Sequence, residues 1–138
     1  MLELTWPLVA VALAAAPSPA SDSAGKSTCW DTAQTQLALN QCADADLKAA
    51  DADLNAVYKQ LMARPDEAFK KRLRVAQRAW MVFRDAHVDA LYGAATDGSV
   101  RPMCAALALR DLTQERIKQL RALLEPEEGD TCATLVAP

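Results

Sequence analysis

Glycine, aromatic side chains and histidine are all scarce in this chain. Of its 138 residues, 4 are glycine, 5% are aromatic and one, His87, is histidine. Its cysteines include no Cys-x-x-Cys pair, so the usual zinc-ligand spacings are missing. We therefore expect no metal site and no cofactor.

Long hydrophobic runs are missing as well. The apolar run from Leu8 to Ala16 is shorter than the roughly 20 residues that cross a bilayer. Small residues at Ser18 and Ala20 follow it, as at a signal-peptide cleavage site. We predict a signal peptide over 1–20, a mature N-terminal segment over 21–30, and a periplasmic or secreted protein with no membrane attachment after cleavage. A signal peptide normally begins with basic residues, but the only early charge here is Glu3, so a weak signal or a misplaced start is the alternative.

The charge balance excludes some partners, and the cysteines indicate the compartment. The chain has a net charge of −3, and loss of Glu3 with the leader leaves 15 bases, 17 acids and a charge of −2. Nucleic acid is therefore not an expected partner. Four cysteines in a small exported protein favour disulfides over metal binding, with three pairings possible. They are Cys29, Cys42, Cys104 and Cys132.

The sparse glycines and prolines divide the chain into helical blocks. The blocks cover about 31–63, the segment from Pro65 to Gly93, and about 102–125. Because strand-like alternation is absent, we predict an all-α, disulfide-stapled bundle of three main helices within a domain of 31–125, followed by a tail of 126–138. Asn40 and Asp44 favour caps, so a separate short helix over 35–42 is an alternative.

Periodic apolar residues indicate which side chains form the scaffold. Leu54 and Tyr58 lie on one helical stripe of the first block, and Trp80 and Phe83 recur at helical spacing in the second. We predict that these four are structural. Asn55 is predicted to link helices through its amide.

Three charged residues of the helical blocks have two interpretations. Arg84, Asp85 and Arg116 are either contact residues for a partner or members of salt bridges and caps between helices. The second interpretation makes Arg116 structural. Arg84 and Asp85 remain binding candidates.

A polar loop between the second and third blocks is the best surface-recognition candidate. Asp97, Ser99 and Arg101 lie there, and the alternative is an ordinary solvated loop. Catalysis is not expected. His87 is two positions after Asp85, so their side chains point to different helix faces, and Ser99 has no credible neighbouring base.

Several separated pieces of the sequence match a known family pattern: Cys29, Ala33, Thr35, Gln36, Asn40, Cys42 and Ala43; Asp51, Leu54, Asn55 and Tyr58; Ala76, Gln77, Arg78, Ala79, Trp80, Phe83, Arg84, Asp85 and Ala86; and Gly98, Ser99, Cys104, Leu112, Thr113, Arg116 and Leu120. This pattern gives the chain a resemblance to the lysozyme inhibitor LprI-like family of small exported bacterial proteins. It implies an exported binding protein that blocks lysozyme or another wall-lytic enzyme without chemistry of its own. The alternative is a structural or stress-related envelope protein that does not bind lysozyme.

One departure from the family pattern concerns the disulfides. The family usually has a cysteine four residues after the position of Arg84, where this chain has Val88. A partner for Cys104 would then be missing, and Cys132 in the tail is a substitute. The resemblance thus implies two bonds, Cys29–Cys42 and Cys104–Cys132.

Overall fold

The computed structural model describes residues 28–93, 98–129 and 131–132. Four helices follow one another in the order α1 (Cys29–Thr32), α2 (Gln36–Met62), α3 (Glu67–Tyr92) and α4 (Arg101–Leu124). No strand occurs in these ranges, so the predicted all-α fold is confirmed. The predicted signal peptide and residues 133–138 of the tail lie outside the described residues.

A turn between α1 and α2 allows the first disulfide to form. The turn ends at Thr35, whose side chain caps α2 by accepting a hydrogen bond from the amide of Ala38 at 3.2 Å. The chain folds back at this turn, and Cys29 and Cys42 form a disulfide with their Cα atoms 5.6 Å apart. The predicted Cys29–Cys42 bond is therefore present.

The first block is divided in two, but between Thr32 and Gln36 rather than after Cys42, so no separate helix over 35–42 forms. Helix α2 runs unbroken from Gln36 to Met62, through both Asn40 and Asp44. These cap-forming residues are accommodated because their polar groups are satisfied elsewhere. Asn40 donates its amide to the backbone carbonyl of Ser99 at 2.9 Å, and Asp44 pairs with Lys48 one turn later.

The predicted Cys104–Cys132 bond is also wrong, because Cys104 is a half-buried free thiol. Cys104 lies in the first turn of α4, and the helix rises about 30 Å from there to Leu124 at about 1.5 Å per residue. The eight further residues to Cys132 extend at most about 29 Å. Only an almost straight tail would return to Cys104.

The second and third blocks form helices close to their predicted bounds. Asp66 caps α3 by accepting a hydrogen bond from the amide of Phe69 at 2.9 Å, and the helix ends before Gly93. Gly98 has φ of +129°, a conformation that favours glycine, at the approach to α4. Helix α4 has Pro102 in its first turn and ends at Leu124.

Helix α4 packs along α2 and, over a shorter length, against α3. The core between them contains side chains with almost no exposed surface, such as Leu61 at 0% and Leu120 at 1%. Other core members are Leu54, Val57, Phe69, Leu73 and Ile117. Because α2 and α3 approach each other much less than either approaches α4, an open groove remains between them.

The inward face of α3 differs from the apolar stripe that the sequence predicts. Tyr58 of α2 and Trp80 of α3 are half-buried and pack against the core, but Phe83 is 55% exposed and stacks on the ring of His87. The structural role predicted for Phe83 in the bundle is therefore wrong. Gln77 and Arg84, one position later than Ala76 and Phe83, point inward instead.

Candidate binding groove between α2 and α3

The groove between α2 and α3 has a volume of about 340 Å³. Its α2 wall is formed by Asp51, Leu54, Asn55 and Tyr58, and its α3 wall by Arg74, Gln77, Arg78, Met81 and Arg84. The spacing within each wall is that of one helix face. The groove thus combines three arginines with one carboxylate, so its lining has an excess of positive charge although the whole chain is acidic.

Arg84 closes the inner end of the groove and joins three helices. Its Nη1 donates to Asp51 Oδ1 on α2 at 3.0 Å and to Thr113 Oγ1 on α4 at 3.1 Å. Its Nε donates to the neighbouring Asp85 at 2.9 Å. The Arg84 side chain is only 12% exposed, so its bonds to Asp51 and Thr113 are partly shielded from water, whereas its bond to Asp85 lies at the surface. Arg84 therefore serves the scaffold, and Asp85 is exposed beside it.

Trp80 lies close to two guanidinium groups. The Cζ atom of Arg84 lies 5.3 Å from the Trp80 ring centroid, and that of Arg116 lies 5.8 Å from it. Both distances suit cation–π attraction. Arg116 also donates its Nε to the Oε1 of buried Gln77 at 3.0 Å, which joins α4 to α3. Burial lowers the pKa of the Arg116 guanidinium from its ordinary value, because desolvation disfavours the charged form.

Arg74 and Arg78 are the groove's available cations. Both are exposed, and neither makes an ion pair or hydrogen bond to another described side chain. They are four residues apart on α3, so their side chains lie on neighbouring turns of one face. An anionic group entering the groove would meet these two guanidiniums with no internal partner to displace.

Asn55 lies on the opposite wall and does not link helices. It is exposed, and its amide makes no hydrogen bond within the described part of the chain. The predicted amide link is therefore wrong. Instead, the Asn55 amide and the half-buried Tyr58 supply polar groups to the groove, opposite the arginines.

The loop candidates lie apart from this groove. Ser99 is exposed and is held to α2 at Asn40. Asn40 precedes Asp51 by 11 residues, or about 16 Å along the helix. Arg101 opens α4, is half-buried, and has a buried Nε with no hydrogen-bond partner. Asp97 lies outside the described residues. The structure therefore brings Arg84 and Asp85 together but places Ser99 at a different site.

The sequence prediction missed Arg74 and Arg78 because nothing distinguishes them from other surface arginines within one helix. The sequence does contain one indication of the groove. Asp51 and Asn55 on α2 have the same four-residue spacing as Arg74 and Arg78 on α3. Only the packing of α4 on α2 and α3 shows that these two helix faces form one groove.

Comparison with known proteins identifies the family. The model of the family described as lysozyme inhibitor LprI matches residues 29–120. A protein of Rhizobium meliloti (strain 1021), described only as uncharacterized, is 34% identical over 110 residues, covering 70% of this chain and 79% of the relative. The chain belongs to the LprI family. No solved structure matches it significantly.

Most of the groove-lining residues belong to the family-like pattern of the sequence. Seven of the nine groove-lining residues are among those through which the sequence resembles the family, the exceptions being Arg74 and Met81. Across residues 28–93, 98–129 and 131–132, no cluster of three or more His, Cys, Asp or Glu side chains is arranged to hold a metal ion. In the same ranges, no helix is both long and apolar enough to span a bilayer.

Proposed function

We propose that this protein is an exported inhibitor of a lysozyme-type glycoside hydrolase and that the groove between α2 and α3 is its contact surface. The observation that carries the proposal is the pair of exposed, unpaired arginines on the α3 wall, Arg74 and Arg78. The family description supplies the inhibitor class and the target enzyme. The protein acts by binding alone.

The spacing of the two arginines suits the active site of such an enzyme. Glycoside hydrolases place two carboxyl groups on either side of the scissile bond, about 5–5.5 Å apart in retaining enzymes. Residues four apart on a helix have Cβ atoms about 5–6 Å apart. Arg74 and Arg78 can therefore each address one carboxylate, and guanidinium–carboxylate pairs form strong bidentate hydrogen bonds.

The rest of the groove supports a protein partner. Met81, which is 46% exposed, adds an adaptable apolar contact beside the arginines. Tyr58 and Asn55 add polar groups on the α2 wall. An apolar contact surrounded by polar and arginine side chains has the composition of a protein–protein interface.

Two further binding candidates are retained as a rival contact surface. Ser99 and Arg101 lie near the start of α4, and the orphaned buried Nε of Arg101 makes its side chain a structural as well as a binding candidate. Asp97, the third predicted candidate of this segment, lies outside the described residues. Arg84 and Asp85 act at the groove by fixing its inner end rather than through direct contact with the enzyme.

Export is part of the proposal. It is supported by the apolar run from Leu8 to Ala16 and by the Cys29–Cys42 disulfide, since such bonds persist in oxidising compartments. N-terminal sequencing of the protein recovered from the periplasm or medium should begin at Ser21. Recovery of the uncleaved chain from the cytoplasm would contradict export.

The test of inhibition is a wall-lysis assay with the purified, oxidised protein and several lysozyme types. Inhibition at micromolar protein is expected, with competition against a soluble wall oligosaccharide because the proposed contact covers the enzyme's carboxylates. If no lysozyme is inhibited, the alternative of an envelope protein that does not bind lysozyme is favoured. Inhibition without competition would place the contact away from the enzyme's cleft.

A further inference from the structure

The outer face of α3 is apolar where a solvated helix would be polar. Val75 is 63% exposed and Val82 is 71% exposed, and both lie opposite the buried stripe of α3 at about 100° per residue. The positions between and beyond the valines carry only alanines and one arginine. In chain order, this outer face comprises Ala68, Arg72, Val75, Ala79, Val82 and Ala86.

The spacing of the outer face matches the seam of a coiled coil. Its members are separated by four, three, four, three and four residues. This alternation is the a/d repeat by which two helices pack side by side. Phe83, 55% exposed, flanks the seam on one side. The outer face therefore has the pattern of a helix that packs against a second helix.

The charges on α3 indicate what that second helix is. Outside the groove and the Glu67–Lys70 ion pair, two bases precede the middle of the helix and two aspartates follow it. The bases are Lys71 and Arg72, and the aspartates are Asp85 and Asp89. A second α3 that lies antiparallel brings each basic half beside an acidic half, whereas a parallel copy brings like charges together.

We propose that two copies of this chain associate through the outer faces of their α3 helices, antiparallel and related by a twofold axis. In the proposed register, Val82 of one copy lies opposite Ala79 of the other. Each apolar layer then pairs one valine with one alanine. Just outside the apolar layers, at each end of the interface, Arg72 of one copy pairs with Asp89 of the other. All these positions are exposed in the single chain, so the contact needs no rearrangement. The interface is isologous and closed at two copies.

The interface is distinct from the inhibitory groove. The groove uses the flank of α3 that carries Arg74 and Met81, while the outer face turns away from both α2 and α4. One pair of helices makes a small interface, so the association is weak, micromolar at best. Two copies would present two grooves to partners at once.

The test is sedimentation equilibrium of the oxidised protein over a range of concentrations. A monomer–dimer equilibrium is expected. Val82→Lys should raise its dissociation constant about tenfold or more, because two charges would be buried in the central layers. Leu37→Lys is the matched control. Leu37 is 68% exposed on α2, so its substitution should leave the equilibrium unchanged.

Charge reversal tests the orientation. Arg72→Glu and Asp89→Arg should each weaken association, and the double variant should restore it, since the antiparallel layer would then pair Glu with Arg again. A parallel dimer would show no rescue. Circular dichroism, and the thermal melt at concentrations where the chain is monomeric, should be unchanged in all variants, because these positions are exposed in the single chain.

Several outcomes would overturn the proposal. A chain that stays monomeric at every concentration has no such interface. A dimer that Val82→Lys leaves intact uses another face. A monomer whose inhibition of lysozyme is weakened by Val82→Lys uses the outer face for the enzyme rather than for a second copy.

Discussion

The guanidinium of Arg84 donates a hydrogen bond to the hydroxyl of Thr113 at 3.1 Å, and Thr113 is fully buried. The same Nη1 atom reaches Asp51 at 3.0 Å. Arg84 belongs to an Arg-Asp pair that the sequence alone suggests is exposed. In the structure it joins α2, α3 and α4. This junction holds the α3 wall of the groove at a fixed distance from α2.

Loss of the Arg84 junction should destabilise the fold. Arg84→Ala is expected to lower the free energy of unfolding by about 2–3 kcal/mol, since it removes charge-assisted hydrogen bonds and leaves the buried Thr113 hydroxyl without that donor. Arg84→Lys should recover only part of the loss, because one ammonium cannot reproduce the planar guanidinium. Urea unfolding followed by circular dichroism measures both.

A double-mutant cycle separates the Arg84–Thr113 bond from general packing. Thr113→Val keeps the shape of the side chain and should cost about 1 kcal/mol. The double variant should cost less than the sum of the single variants, with a coupling of at least about 0.5 kcal/mol. Additive costs would mean that the hydrogen bond contributes nothing to stability.

The two aromatic residues of the same segment should respond very differently to truncation. Trp80 packs on the core and lies near two guanidiniums, so Trp80→Ala should cost about 2–3 kcal/mol, somewhat less than the usual cost for a fully buried aromatic. Phe83 is 55% exposed, so Phe83→Ala should cost under about 1 kcal/mol. If thermal or urea unfolding showed equal losses of stability for the two variants, Phe83 would have to pack in the core.

Helix positions were predictable from breakers and caps, but the inward face of α3 was not. Pro65, Asp66 and Gly93 determine the bounds of α3 through interactions within a few residues. Burial of Gln77 and Arg84 depends on polar partners on other helices, which no local pattern reveals. Periodicity alone assigned the apolar Phe83 to the interior and therefore rotated the predicted face.

The groove could be predicted even less well than the helix faces. Its two walls come from separate helices, with Tyr58 of one wall 16 residues before Arg74 of the other, and its opening depends on α4 occupying the other side of α2 and α3. The sequence did identify Arg84 and Asp85 as either contact residues for a partner or members of salt bridges and caps between helices. The partners Asp51 and Thr113 favour the second interpretation for Arg84.

The Cys29–Cys42 disulfide should stabilise the N-terminal end of the bundle. The bond spans 13 residues, and a loop of about that length contributes about 3 kcal/mol in the chain-entropy model. Cys29→Ala removes the bond at an exposed position and leaves the buried Cys42 side chain in place. Its free energy of unfolding should be lower by about that amount.

Reductant supplies the control for the disulfide prediction. It should lower the stability of the natural chain toward that of Cys29→Ala and leave the variant itself unchanged. Non-reducing peptide mapping should yield the Cys29–Cys42 cross-link and an alkylated Cys104. A peptide joining Cys104 to Cys132 would restore the pairing that the structure contradicts.

The groove and the loop make opposing predictions for inhibition. Arg78→Ala and Arg74→Ala should each weaken inhibition about tenfold or more, as expected when a central arginine contact of an interface is lost. Their thermal melts should not change, because both side chains are exposed and unpaired. Arg121→Ala, which removes an exposed arginine from the far end of α4, is the matched control and should leave inhibition unchanged.

Arg101→Ala decides between the two surfaces. If the groove is the contact surface, the variant should inhibit normally, and any change in its melt reflects the half-buried position of Arg101 at the start of α4. If the loop is the contact surface, Arg101→Ala should weaken inhibition with an unchanged melt, while Arg74→Ala and Arg78→Ala should have no effect. A substitution in one surface leaves the other intact. Wall-lysis titrations of these three variants therefore decide whether the enzyme contacts the loop, near one end of α2, or the groove, near its middle.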